Sequence, residues 1–188
     1  MANQLASLAD TRLPVGELQY RIAQTAWHAF TSPDPMDIQR FIENDTSGLP
    51  FINTALQRHL EQFPAVNGGL SRTEPQALSV LREHESLSGG QLFVAVQRQE
   101  EQAFMGEHSF YRLMADLHNA RHPLVKISDT AQQGRVDVRI TETGRDVIEG
   151  RADHIRLNGI DRWLGGVHLK GENVPWRCDR ASERIIHR

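Results

Sequence analysis

EHSFYRLMADLHNARHPLVKISDTAQQGRVDVRITETG, residues 107 to 144, changes its hydrophobic period halfway along. Phe110, Leu113, Met114 and Leu117 fall at i, i+3, i+4 and i+7, which places them on one face of a helix from about Glu107 to Ala120. Past Pro123 the step shortens to two. Leu124 to Ile127 is a short apolar run, Asp129 to Arg135 is a polar, turn-rich loop, and Val136, Val138 and Ile140 alternate with Asp137, Arg139 and Thr141. The expectation is a helix followed by a β-hairpin whose apolar edge, Val136, Val138 and Ile140, faces inward.

Two further helices precede this stretch. Ser71 to Glu74 (SRTE) has the capping-box pattern, although Pro75 then falls at the fourth helical position and moves the expected start toward Thr73; Ala77, Leu78 and Leu81 continue the apolar face. Ser88 to Gln91 (SGGQ) is a second capping box, followed by Leu92, Phe93, Ala95 and Val96. After the hairpin, Thr141 caps a helix carrying Val147 and Ile148, with Gly150 as its stop. Three helices closed by a paired ribbon is the element order of a winged-helix module.

Residues 14 to 63 read as a small helical bundle. Val15, Leu18, Ile22, Ala26 and Phe30 mark one helix with Pro14 in its first turn, Asp34 and Pro35 start a second carrying Ile38, Phe41 and Ile42, and Phe51, Ile52, Ala55, Leu56, Leu60 and Phe63 mark a third that Pro64 ends. Asn67, Gly68 and Gly69 break the pattern. In the last 35 residues Asn158-Gly159 and Gly165-Gly166 sit between apolar residues, as two-residue hairpin turns do. The expected fold is α+β and mainly helical: a helical domain (1–68), a winged-helix-like domain (69–153) and a β-rich hairpin tail (154–188).

Twenty-one basic and 24 acidic side chains give a net charge of -3, the wrong sign for strong non-specific binding to a polyanion. The acidity lies early: residues 1–70 hold 4 basic and 7 acidic side chains, and residues 71–188 hold 17 of each. Nineteen of the basic residues are arginine, which suits planar bidentate contacts but also follows from a GC-rich genome. With no apolar run near the roughly 20 residues of a membrane helix and no leader-like start, the expectation is a soluble cytoplasmic chain with no membrane partner. One cysteine, Cys178, excludes an internal disulfide and a zinc-binding cluster, so the fold rests on its core.

Motifs that would carry chemistry are missing. No HExxH, phosphate loop or nucleophile elbow occurs, and His118 and His122 straddle a helix end, so no catalytic residue, metal or cofactor is assigned. Cys178 lies between Arg177 and Arg180, which could lower its pKa, but it has no positioned base. On the winged-helix reading Ser109, Arg112, Asp116 and Asn119 face outward from the third helix, where Arg112 could read guanine and Asn119 adenine, with Gln133 and Arg135 on the wing near a phosphate. Glu107 and Asp116 offset Arg112 and Arg121, which favours packing against protein over reading DNA. Asp161, Arg162, Trp163 and His168 stand close together in NGIDRWLGGVHL and suit a pocket for an anionic or planar ligand; equally, Asp161 and Arg162 can pair on a turn while Trp163 fills a core.

AWHAFTSPDP (Ala26 to Pro35), DTSGLPFINTALQRHLEQFP (Asp45 to Pro64), GLSRTE (Gly69 to Glu74), ITETGRDVIEGRAD (Ile140 to Asp153) and NGIDRWLGGVHL (Asn158 to Leu169) together cover much of the chain. Through them it resembles the C-terminal region of the bacterial family called Domain of Unknown Function 1835. Pro75 and the histidine-rich surface depart from that pattern. The resemblance implies a further α/β domain ahead of this region, so that the chain corresponds to a truncated member or a separately made C-terminal fragment, and it brings no assigned activity. The functional expectation is a non-catalytic, winged-helix-like accessory or interaction module that packs on a protein partner or on that α/β domain. The alternatives are a regulator that binds duplex DNA, and part of an enzyme site completed by another domain through Asp161, Arg162 and His168.

Overall fold

The structure, a computed structural model, describes residues 14–101, 105–130 and 135–188, with the backbone alone at Asp129, Thr130 and Arg135. It is α+β and mainly helical, with small antiparallel sheets. Helices α1 (Glu17–Thr31), α2 (Met36–Ile42) and α3 (Ile52–Leu60) lead into α4 (Thr73–Arg82), strand β1 (Leu87–Ser88), α5 (Gly89–Gln97) and α6 (Glu107–Asn119). Strands β2 (Val125–Thr130) and β3 (Arg135–Ile140), helices α7 (Glu142–Ile148) and α8 (His154–Asn158), and the hairpins β4 (Ile160–Leu164) with β5 (Val167–Gly171) and β6 (Trp176–Asp179) with β7 (Arg184–His187) follow.

In the middle of the chain three helices, α4, α5 and α6, are followed by the β2–β3 ribbon, the element order expected. Starting α4 at Thr73 puts Pro75 in the first turn, where its missing N–H has no helical partner to lose. Glu74 keeps half of the capping box, accepting from the Ser71 N–H at 2.7 Å. The second box closes fully at Ser88 and Gln91. Leu87 and Ser88 also pair with Val138 and Asp137, giving sheet order β1-β3-β2; a two-residue strand has no periodicity by which to predict it. Ala77, Leu78, Leu81, Leu92, Phe110, Met114, Leu117, Leu124 and Val138 bury the core.

The ribbon is longer than expected, because Asp129, Thr130 and Arg135 are paired. Its apolar edge also divides. Val138 is buried and Ile140 packs on the same core, whereas Val136 is 40% exposed because the ribbon's far end runs past the helices. Thr141 caps α7 by accepting from the Gly144 N–H at 3.0 Å, and Gly150, at φ 77°, ends the turn that follows.

A second core joins the two ends of the chain. Ile22, Ala26, Ile38, Phe41, Leu60 and Phe63 from the first helices pack with Ile155, Leu164, Leu169, Val174, Cys178 and Ile185 from the last 35 residues. Pro14 lies ahead of α1 rather than in its first turn, and Val15 and Leu18 are mostly exposed; the buried face is Ile22, Ala26 and Ala29. Phe51, expected inside, precedes the first turn of α3 and is 74% exposed. Asn158-Gly159 does not close a hairpin, since His154–Asn158 form the short α8 and Gly159, at φ 72°, terminates it.

Gly165-Gly166 is the hairpin turn expected, and its fit explains the glycines. The Gly166 N–H donates to the Phe30 carbonyl at 2.9 Å, and a Cβ on Gly166 would stand 2.0 Å from the Thr31 oxygen. Gly166→Ala is expected to cost about 1–3 kcal/mol, because backbone has to move to admit the methyl group. Gly90→Ala, within α5, meets nothing nearer than the Tyr111 hydroxyl at 3.8 Å and is expected to be neutral or stabilising by up to about 1 kcal/mol. Urea unfolding of the two variants checks the contrast, and equal midpoints would remove the steric account.

Candidate functional site

Strand alternation separates the four residues expected to form a pocket. Asp161 and Trp163 point outward from β4, with His168 and Lys170 opposite them on β5. The Trp163 and His168 rings stack 4.4 Å apart at an interplanar angle of 4°, and His168 Nε2 lies 2.7 Å from Asp161 Oδ1, a hydrogen bond that holds the Asp161 carboxyl below its ordinary pKa. Trp163 is 65% exposed rather than in the core. Arg162 faces the other way.

There Arg162 Nη2 donates to Glu74 Oε1 at 3.0 Å. Glu74, on α4, is 2% exposed, and its second oxygen accepts the Ser71 N–H. Burial alone would raise the Glu74 carboxyl, but the Arg162 charge and its hydrogen bonds outweigh it and the net shift is downward. The Glu74 charge in turn raises Arg162. His154, at the start of α8, stands beside the pair; burial lowers its pKa, against the opposing pull of Glu74, and Asn158 Nδ2 donates to its Nδ1 at 3.0 Å. Ser71 Oγ is buried with no hydrogen-bond partner.

These groups floor a cleft of about 660 Å³ between the two cores, with Arg112 and Asp116 of α6 on its wall. A smaller cleft of about 310 Å³ continues along α6, lined by Ser109, Arg112, Arg162 and Leu164 among others. The outward face of α6 is thus the one expected: Ser109, Arg112, Asp116 and Asn119 are all exposed. Much of that face looks across the clefts at β4. Gln133 lies outside the described residues, and Arg135 is placed by its backbone at the start of β3.

Other candidates have structural roles. His118 Nδ1 accepts from the Ile127 N–H at 3.3 Å, and Asn158 pins His122 by bonding its backbone N–H and carbonyl. Among the described residues no group of three potential ligands could hold a metal ion. Cys178 is 1% exposed, and burial pushes its thiol up to about 11 despite Arg180. Arg177 turns away to Asp153. A further cleft, of about 700 Å³, is lined by ion-paired groups such as Arg58 with Glu100 and Arg72 with Glu61.

Sequence reasoning missed Glu74, Ser71 and His154 as site residues. Glu74 was legible only as a capping residue, and its partner lies 88 positions away. Compared with known proteins, the chain matches no family model, no curated protein and no solved structure.

Glu74→Gln leaves Arg162 without its counter-ion and is expected to cost about 3–5 kcal/mol in urea unfolding, with Glu74→Gln/Arg162→Met recovering much of it. A loss under about 1 kcal/mol would deny the pair its role. Stability is also expected to fall as pH drops from 7 to 5. His154 and His59 are both held below their ordinary value of 6.5 by burial, so under that pH the unfolded chain binds more protons than the folded one, and stability rises with pH through this window. Glu74 adds its own loss only as pH falls below its ordinary 4.5. His154→Gln should flatten part of the slope between pH 7 and 5.

Proposed function

We propose that the chain is a non-catalytic interaction module in which a winged helix is held against its own helix-and-hairpin body and serves protein partners. The observation that carries this reading is the direction of α6. Ser109, Arg112 and Asp116, the residues a groove-reading helix would present, share cleft walls with Arg162 and Leu164 of the same chain. Neither cleft holds a nucleophile with a positioned base, which supports a binding role over catalysis.

The partner in this reading is an α/β domain of the kind implied by the resemblance to Domain of Unknown Function 1835. Large apolar side chains exposed on and near the first helices, Leu18 at 50%, Tyr20 at 65%, Trp27 at 63% and Phe51 at 74%, supply surface for such a contact. A second reading, binding of duplex DNA, draws on the wing. Lys126 and Arg139 are exposed and directly opposite each other across β2 and β3, a like-charge placement that costs sheet stability and that a phosphate would relieve.

Two measurements separate the readings. An α/β domain from a member of that family, mixed with the full chain, is expected to co-elute in size-exclusion chromatography, and Trp27→Ala/Phe51→Ala is expected to weaken the complex at least about tenfold. In a gel-shift titration with duplex DNA at physiological salt, no complex tighter than the non-specific range of about 10⁻⁴ to 10⁻⁶ M is expected. A tighter complex lost on Lys126→Ala/Arg139→Ala would replace the first reading with the second.

A further inference from the structure

We infer that the cleft between α6 and the β4–β5 hairpin binds an α-amino acid with an aliphatic side chain. Its volume of about 660 Å³ lies in the range of small-molecule sites. Ser71 is among its lining residues; it is only 1% exposed, and its Oγ has no hydrogen-bond partner. A buried polar atom without a partner, in a residue that lines a cleft, calls for an explanation.

The charges choose the ligand. Both oxygens of Glu74 are engaged, by Arg162 and by the Ser71 N–H, so Glu74 serves to hold Arg162 in place. Arg162 spends Nη2 on that bond and keeps its other donors. On the facing wall Arg112 and Asp116 are exposed and make no hydrogen bond or ion pair among the described residues, and their i, i+4 spacing sets them on the same side of α6. An exposed cation and an exposed anion, beside the half-buried Arg162 whose charge Asp116 also feels, complement a zwitterion. The ligand carboxylate takes Arg112 and the remaining donors of Arg162, and the ammonium takes Asp116.

A simple anion fits less well, because Glu74, Asp116, Asp161 and Glu172 on the lining outnumber Arg112, Arg162 and Lys170. Beside the polar His154 and Asn158, the lining also includes Leu117, Ala120, Ile155 and Ile160, whose apolar surface accommodates an aliphatic side chain.

The test is a ¹H–¹⁵N NMR titration of the full chain with L-valine, L-leucine and L-isoleucine, each to about 10 mM. At least one is expected to saturate, shifting the amides of Ser71, Arg112, Asp116 and Arg162. Isoamylamine and 4-methylpentanoate, which each keep one charge of leucine, should bind at least about tenfold more weakly. Arg112→Ala and Asp116→Asn, both at exposed positions and checked for unchanged thermal midpoints, should each weaken binding by a similar factor. Failure of all three amino acids to shift these amides would overturn the proposal. Equal binding of 4-methylpentanoate, or affinity unchanged in both variants, would do the same.

Discussion

A carboxylate taken fully out of water has to find a cation, and Glu74 finds Arg162. The cost of burying two charges is several kcal/mol each, and it is offset here by a direct bond of 3.0 Å and by the Ser71 N–H on the second oxygen. Glu74 stands on α4, which packs in the core of the middle segment, and Arg162 on β4, which packs in the other. The pair therefore fixes where the two apolar cores meet. Other arginines repeat the device along the same seam: Arg58 with Glu100, Arg72 with Glu61, Arg177 with Asp153, and Arg121 with the Leu157 carbonyl. The arginine bias of the composition thus has a structural use.

The seam also accounts for how the chain crosses between cores. It leaves the first core through Asn67, Gly68 and Gly69 and returns at Asp153 and His154, and the two passages lie side by side, with the His154 N–H donating to the Gly68 carbonyl at 2.8 Å. Gly68 and Gly69 adopt φ of 78° and 69°. A Cβ on Gly69 would stand 2.6 Å from Asp153 Oδ1, so the glycine admits the carboxylate that both pairs with Arg177 and caps α8. Turn, cap and ion pair share one spot.

What could be read from the sequence was local. The helices showed their period and caps, as at Ser88 and Thr141, and the ribbon showed its alternation, because each depends on residues within a few positions of one another. The mistakes had the same origin. Asn158-Gly159 has the composition of a hairpin turn, yet Asp153 five residues earlier caps a helix turn that runs into it. NGIDRWLGGVHL put Asp161, Arg162, Trp163 and His168 close in sequence, but a strand sends neighbours to opposite faces, so Arg162 reached Glu74 while Trp163 stacked on His168 in the open. Pairings across 88 positions leave no local trace.

The two cores meet through charges and not through continuous apolar contact, and this keeps a gap between them. Arg112, Asp116 and Arg162 prefer water or polar partners, so the walls do not collapse on each other. The smaller cleft, at about 310 Å³, holds the volume of about ten water molecules. That space admits side chains and small ligands, not a duplex. For the same face of α6 to enter a major groove, the seam would have to part, with loss of the contacts that the Glu74–Arg162 pair and its neighbours make across it. The exposed wing carries no such penalty, and any contact with phosphate by Lys126 and Arg139 is independent of whether the cleft is open or closed.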